Sequence, residues 1–177
     1  AMLLGIALSE GRIRSIDDTA ATYVPELAGS AYGETPLRAL LHMASGGAFR
    51  ETYDGADASA TLGRALFVTS TPAAQVLAGF NRREAPPDTH FHYAGSETEV
   101  LGLVVARAVG LPLATYLATR IWQPMGAEAD ATWIVDRTGQ EVAYCCLSAT
   151  LRDWARFGLL LARDGAWNGR QIIPREW

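Results

Sequence analysis

The stretch of sequence that decides the fold runs Phe91-His92-Tyr93-Ala94-Gly95-Ser96-Glu97-Thr98-Glu99-Val100-Leu101-Gly102. Residues 89–92 have the β-branched and aromatic side chains of an extended segment, and apolar residues recur at helical spacing from Val100 onward. Ser96 and Glu99 have the spacing of a capping box, in which each side chain bonds a free backbone N–H at the helix start. The pattern therefore predicts a helix over 96–109, ended by Gly110, with Tyr93 just ahead of it.

Similar signals predict helices along most of the chain. Capping residues or prolines at the start, and glycines or prolines at the end, predict helical segments over 15–24, 37–43, 57–68, 71–82, 112–124 and 150–163, and a continuous apolar stretch predicts one over 1–8. Strand patterns are confined to 132–135 and 142–145, which predict one hairpin. The expected fold is a mainly α unit, a fragment of an α+β fold, with a short β-hairpin late in the chain.

The composition excludes several classes of function. The chain has 177 residues, 49% of them hydrophobic, which suits one domain with a buried core. All 15 basic residues are arginine, so any mechanism that needs a lysine cannot be completed within this chain. The net charge is −4 and the arginines are scattered among acids, so we expect no nucleic-acid partner. No apolar run approaches the roughly 20 residues of a membrane span.

Both ends of the sequence have the character of internal sequence. Residues 1–8 are apolar on all sides without a capping residue ahead of them, and residues 174–177 have the pattern of a single helical turn. We therefore expect a partial domain over 1–177, truncated at both ends, with a helical subdomain at 1–126 and a hairpin and late helix at 127–177. The sequence carries no signal for a cellular compartment.

The histidines do not predict a metal site. In an extended segment His90 and His92 would lie on one side, near Asp88, but a zinc site needs three or four ligands. The remaining histidine, His42, lies in a predicted helix. We therefore expect no metal and interpret His90 and His92 as half-exposed positions of an extended segment.

Ser45 and the two cysteines are weak candidates for a nucleophile. Ser45 lacks the preceding strand and the glycine two residues earlier that a nucleophile elbow requires, so it is expected to satisfy backbone groups where a helix ends. Cys145 and Cys146 are adjacent, and no neighbouring cation in the sequence would lower a thiol pKa. We therefore expect them to be buried and inert. A disulfide between adjacent cysteines is strained, so they are not expected to staple the fold or to indicate the compartment.

Tyr93 lies at the junction between an extended segment and a helix. The N-terminus of a helix has free N–H groups and favours negative charge, so a phenol there can be stabilised as phenolate or transfer a proton. An aromatic residue ahead of a helix is also a common packing residue. The local sequence leaves both roles open.

Three motifs in a fixed order resemble a known family. They occupy residues 5–11, 40–46 and 91–102, and residues 147–158 and 165–169 add a late helix and turn. In this order the chain resembles the serine β-lactamase-like and penicillin-binding-protein-like hydrolases, in particular the class C-like branch of esterases, D-aminopeptidases and 6-aminohexanoate-dimer hydrolases. The resemblance implies the helical subdomain of the β-lactamase/transpeptidase-like fold.

The resemblance also implies roles for individual residues. The Ser-x-x-Lys motif of the family would lie just before residue 1, and its pocket strand would lie beyond Trp177. The family's Tyr-x-Asn or Tyr-x-Ser motif maps onto Tyr93-Ala94-Gly95, which makes Tyr93 the general acid/base and places Gly95 at the substrate. Ser96 is expected to supply the hydrogen bond that glycine cannot. Residues 49–53 are similar to an aromatic-x-Glu-x-Tyr loop at the pocket rim, which implies that Glu51 and Tyr53 contact substrate, and Cys145-Cys146 replaces a usual Gly-Gly.

The function implied is hydrolysis of a small amide or ester through an acyl-serine intermediate, without a cofactor. The chain by itself is expected to be inactive, because the serine and lysine lie outside it. The alternative is a non-catalytic helical module, for binding or structure, or a degenerate family member. The choice among lactam, peptide, ester and nylon-type substrates, and the oligomeric state, stay open.

Overall fold

The computed structural model describes all residues, 1–177. Its helices are α1 (Met2–Ser9), α2 (Leu37–Leu41), α3 (Ala58–Arg64), α4 (Ala73–Gly79), α5 (Gly95–Val109), α6 (Leu113–Leu117) and α7 (Leu151–Ala162). Wider π turns continue α3 over Ala65–Thr69 and α6 over Ala118–Trp122, and 3₁₀ turns lie at Ala20–Thr22 and Pro25–Leu27. The mainly helical fold predicted from the sequence is confirmed.

Helix α5 lies at the centre of the structure. Ten of its residues are buried, and α1, α2, α3, α4 and α6 all contact it. The surrounding core joins both parts of the chain, since Val142, Leu160 and Ile173 belong to the same hydrophobic cluster as the residues of α5. Burial of a large apolar side chain contributes about 1.5–3 kcal/mol, so this packing holds the start of α5 firmly in place.

The start of α5 differs from the sequence prediction. The helix begins at Gly95, and its N-cap residue, Ala94, has no side chain that could cap it. The Ser96 hydroxyl is bonded to the Tyr32 hydroxyl, and the Glu99 carboxylate accepts a hydrogen bond from the Ala143 N–H. The predicted capping box is therefore wrong, because burial of both side chains leaves them to satisfy polar groups of other segments.

Two small antiparallel hairpins replace the single hairpin that the sequence predicted. Strand β1 (Thr132–Trp133) pairs with β2 (Leu147–Ser148), and β3 (Ala166–Trp167) pairs with β4 (Arg170–Gln171). The predicted return strand at 142–145 is wrong. The Trp133 indole N–H donates to the carbonyls of Val142 and Cys145, so the two ends of this segment lie close together and the segment forms a turn. The second hairpin turns at Asn168-Gly169, a pair that is typical of tight hairpin turns, and both residues have positive φ.

The other helix boundaries follow the capping chemistry of the sequence. The Asp57 carboxylate accepts from the Ala60 N–H at 2.8 Å, and the Thr150 hydroxyl accepts from the Asp153 N–H at 3.1 Å. Residues 15–24 form no α-helix and contain only a 3₁₀ turn, since Pro25 starts the next turn directly afterwards. No single helix is long and apolar enough to cross a membrane; α5 and the helical stretch Leu113–Trp122 pass that test only as a pair, and the pair is bent by 76°.

Candidate active site

Tyr93 is held at the surface by a fixed backbone on either side. The His92 N–H donates to the Met43 carbonyl at 2.7 Å, and the His92 ring is bonded through Nε2 to the Phe49 carbonyl at 2.7 Å. Ala94, which follows Tyr93, is buried, whereas the Tyr93 side chain is 56% exposed. The anchored neighbours therefore present the phenol outward, so of the two roles left open by the sequence the exposed one fits better than core packing.

Glu51 joins the start of α5 to the loop before α3. Its Oε1 accepts from the Gly95 N–H at 2.7 Å, and its Oε2 accepts from the Tyr53 hydroxyl at 3.2 Å. The helix N-terminus therefore has a carboxylate on its first amide, the arrangement that the helix dipole favours. One side chain thus holds two of the predicted site residues together.

The loop that carries Tyr53 is ordered by Asp57. The Asp57 carboxylate accepts from the Thr52 and Tyr53 N–H groups at 2.6 Å each, and Tyr53 adopts a left-handed backbone with φ of 56°. Hydrogen bonds donated by backbone N–H groups, of which that of Ala60 has the largest effect, hold the pKa of Asp57 well below its usual range. The charge of Glu51 is the largest of the influences that raise the pKa of Tyr53, and the charge of Tyr93 is also among them. Tyr53 and Tyr93 are therefore electrostatic neighbours.

Tyr144 lies beside the predicted site residues, although the sequence did not predict it there. A Cβ placed on Gly95 would lie 2.7 Å from Glu51 Oε1 and 3.3 Å from Tyr144 Cδ2, so the ring and the carboxylate share the space beside this glycine. Burial raises the pKa of Tyr144, and the charges of Glu99, Glu51 and Tyr53 raise it further. We call Glu51, Tyr53, Tyr93, Gly95 and Tyr144 the Glu51 cluster. No local pattern marks Tyr144, because its place depends on Glu99 holding the neighbouring Ala143 N–H.

Ser96 lies apart from the Glu51 cluster. It is completely buried, and its hydroxyl is 2.5 Å from the Tyr32 hydroxyl. The expectation that Ser96 supplies a substrate hydrogen bond is not supported by this geometry, because the helix turns its side chain into the core. Four of the five predicted site residues come together, and Ser96 does not.

On the buried side of the same helix start lies a second polar group of residues. The Ser45 hydroxyl donates to Glu97 Oε1 at 2.6 Å and accepts from the Gly47 N–H at 3.0 Å, so Ser45 satisfies backbone where α2 has ended, as predicted. Glu97 Oε2 has no hydrogen-bond partner. Burial raises the pKa of Glu97 to about 7. We call Tyr32, Ser45, Ser96 and Glu97 the buried polar group.

The histidines serve separate local contacts. His42 Nδ1 is 2.8 Å from Asp88 Oδ1, and His90 Nδ1 is 3.0 Å from the Thr89 hydroxyl. No three side chains of the metal-binding types converge. The structure thus offers no set of residues that could hold a metal ion.

The two cysteines differ from their prediction. They are bonded to each other as a disulfide and are half-buried, so the expectation that they are buried is wrong. Cys146 has φ of 75°, in the left-handed region that glycine adopts most readily. The conformation therefore agrees with the resemblance, which places a glycine pair at this point.

The sequence model of the Beta-lactamase family matches residues 1–176. A 6-aminohexanoate-dimer hydrolase of Paenarthrobacter ureafaciens is 31% identical over 99% of this chain, which covers 46% of that protein. The chain thus spans about half the length of the curated relative that it matches.

Solved structures give the same result. A Bacillus anthracis protein assigned as a 6-aminohexanoate-dimer hydrolase superposes with a TM-score of 0.87 at 30% identity, over 99% of this chain and 48% of its own. The D-alanine carboxypeptidase AmpC of Burkholderia cenocepacia shares the fold, with a TM-score of 0.61 at 21% identity over 98% of this chain and 48% of its own. With the matched motifs and the arrangement around α5, these findings show that the chain belongs to the β-lactamase family.

Proposed function

We propose that the full-length protein hydrolyses a small amide or ester bond through an acyl-serine intermediate, with Tyr93 as the residue that transfers the proton. The observation that carries this proposal is the position of the Tyr93 phenol: exposed, on an anchored backbone, directly before a buried helix. The serine and its lysine come from outside these residues. Within the chain, Ser45 and Ser96 are buried and hydrogen-bonded, and there is no lysine.

The chemistry assigned to Tyr93 follows from this position. The serine hydroxyl attacks the carbonyl carbon, its proton passes by way of the phenol to the departing amine or alcohol, and water then releases the acyl group by the reverse route. The first amide of α5 is already bonded to Glu51, so the helix end offers Tyr93 little stabilisation as phenolate. A phenolate in this place needs a cation, and the lysine of the family motif would supply it.

Removal of the phenol tests the proposal. In the full-length protein, Tyr93→Phe should lower the acylation rate on a chromogenic ester or on nitrocefin by about 10² or more, because general acid/base catalysis contributes on that scale. Tyr23→Phe is the matched control and should leave the rate unchanged, since the Tyr23 hydroxyl donates to Asp18 away from the cluster. Stopped-flow absorbance and mass spectrometry of the acylated protein would measure the step.

The two outcomes against the proposal are distinct. An unchanged rate in Tyr93→Phe would assign the proton transfer to another group. No turnover and no acylated serine in the unmodified full-length protein would instead favour the non-catalytic helical module.

A further inference from the structure

We infer that the disulfide between Cys145 and Cys146 is a redox-active site, which a dithiol opens and the oxidised form of that dithiol closes again. Its state controls the conformation of the loop before β2, residues 141–146. Through this loop it regulates turnover, and that part of the inference rests on the proposed function.

The disulfide is placed for exchange rather than for stabilising the whole fold. A disulfide stabilises a protein mainly by restricting the unfolded chain, and the effect grows with the number of residues in the closed loop. Cys145 and Cys146 are adjacent, so their ring removes almost none of that freedom. Both residues are half-buried, and exposed disulfides are among the labile ones. The effect of the bond is therefore confined to its own loop.

The closed ring holds the backbone in a conformation that an open pair would leave. Cys146 has φ of 75°, in the left-handed region, where a Cβ comes too close to the following carbonyl oxygen. While the two side chains are joined, the backbone cannot rotate out of this region. Once the bond is open, only the contacts of the neighbouring backbone oppose a change of Cys146 toward the extended region.

Those contacts join the loop to β1 and the residue after it. The Trp133 indole N–H donates to the carbonyls of Val142 and Cys145 at 2.8 and 3.0 Å. The Ile134 N–H donates to the Cys146 carbonyl at 3.2 Å. Rotation of the backbone at Cys146 moves two of these three acceptors relative to β1, so the redox state of the pair is coupled to the position of the loop.

The loop also reaches the start of α5. Tyr144 directly precedes the disulfide, and a Cβ placed on Gly95 would lie 3.3 Å from Tyr144 Cδ2. Opening of the ring should therefore move the Tyr144 ring away from Gly95 and loosen the surroundings of Tyr93. A site that needs its reacting groups held in place loses rate when that order is lost, so we expect the reduced protein to be the slower one.

The opening step is a thiol–disulfide exchange. One thiolate of the dithiol attacks a sulfur of the pair, which breaks the S–S bond of the protein and forms a mixed disulfide. The second thiolate of the dithiol then displaces the protein sulfur. The protein gains two electrons and two protons as a pair of thiols, and the dithiol loses them as it closes to its own disulfide.

Dithiothreitol, followed by alkylation, tests the site in the full-length protein. Arg137 and Arg152 bound a tryptic peptide, 138–152, that contains both cysteines. We expect this peptide to carry no alkyl group before reduction and one on each cysteine afterwards. Hydrogen exchange of the amides of residues 141–146 should become severalfold faster on reduction, and oxidised dithiothreitol should restore the slow rate.

Two double variants are the matched controls. Cys145→Gly/Cys146→Gly has no thiol here and suits the positive φ at position 146, so neither its loop exchange nor its rate on a chromogenic ester should respond to dithiothreitol. Cys145→Ser/Cys146→Ser keeps side chains of similar size without the bond and should show fast loop exchange with or without the reductant. The unmodified protein should lose kcat/KM on the ester severalfold when it is reduced.

Each failure has its own signature. Alkylation of peptide 138–152 without reduction, or loop exchange that reduction does not change, would overturn the redox site. An equal response of the Gly-Gly variant would assign the effect to other cysteines and would overturn it as well. Equal ester rates in both states, with a loop that does respond, would overturn the regulation alone. No turnover in either state would overturn the proposed function, and hydrogen exchange would still decide the redox site.

Discussion

The two polar groups at the start of α5 use the same kinds of side chain in opposite surroundings. The Glu51 cluster is open, with Tyr53 77% and Tyr93 56% exposed, whereas Tyr32, Ser45, Ser96 and Glu97 in the buried polar group are each less than 5% exposed. Tyrosine and glutamate occur in both. Their chemistry differs because water solvates the charge of a carboxylate on the open side, while on the buried side a charge has to be stabilised by protein groups alone.

The comparison assigns different tasks to the two sides. Buried and fully bonded hydroxyls rigidify a helix start, and an exposed phenol beside it can reach a substrate. A site that needs its reacting groups held in place benefits from such a support. Variants on either side of the helix start should therefore differ in their effects.

The buried acids should make stability fall as the pH rises. Burial raises the pKa values of Glu97 and Glu99 to about 7, above the ordinary value of 4.5 for a glutamate side chain. Both groups are protonated when folded below about pH 4.5, so their contribution is fully present there and is lost as the pH rises through about 7. At about 1.4 kcal/mol per pKa unit, each group contributes up to about 3 kcal/mol.

Urea unfolding of the full-length protein at pH 5 and pH 8 measures this dependence. Glu97→Gln should reduce the difference between the two free energies of unfolding, because the amide does not titrate. Glu84→Gln, an exposed acid whose pKa is lowered by Arg50, is the control and should leave the difference unchanged in this range. An identical difference in Glu97→Gln would mean that Glu97 is charged in the folded protein at both values.

Loss of the hydrogen bond between Glu99 and the loop before β2 should have the next largest effect on stability. Glu99→Ala leaves the half-buried Ala143 N–H without its acceptor and should lower the free energy of unfolding by about 2 kcal/mol. Glu99→Gln keeps an acceptor oxygen and should lose less than half of that. If the two variants lose the same amount, the carboxylate holds the loop by its charge or its packing rather than by this hydrogen bond.

A methyl group on Gly95 should have the smallest effect. In Gly95→Ala the new Cβ would lie 2.7 Å from Glu51 Oε1, so the carboxylate has to move, at a cost of about 1 kcal/mol. The matched control is Gly63→Ala in α3, where a Cβ meets nothing within 4 Å, and it should stabilise by roughly 0.5–1 kcal/mol. Thermal melting of both variants, and of the double variant Gly95→Ala/Glu51→Ala, measures the coupling between position 95 and Glu51. Additive effects in the double variant would argue against a contact between the two positions.

Sequence prediction succeeded where the signal is local. Prolines and capping residues such as Asp57 and Thr150 marked helix starts, because they satisfy or omit backbone groups of their own segment. Prediction failed for the capping box at Ser96 and for the strand at 142–145. In both cases a tertiary partner, Tyr32 for Ser96 and Trp133 for the strand, competed for the groups that local structure would have used.

By itself the sequence determined the helical character of the chain and its family, and it proposed Tyr93, Gly95, Glu51 and Tyr53 as candidate site residues, since these depend on short motifs and their order. Only the tertiary structure decided that Ser96 points into the core and that Tyr144 joins the Glu51 cluster. The physical reason is sequence distance. Tyr144 reaches Gly95 because the Ala143 N–H is bonded to Glu99, 44 residues earlier in the chain, and the burial that raises the pKa of Glu99 exists only after folding.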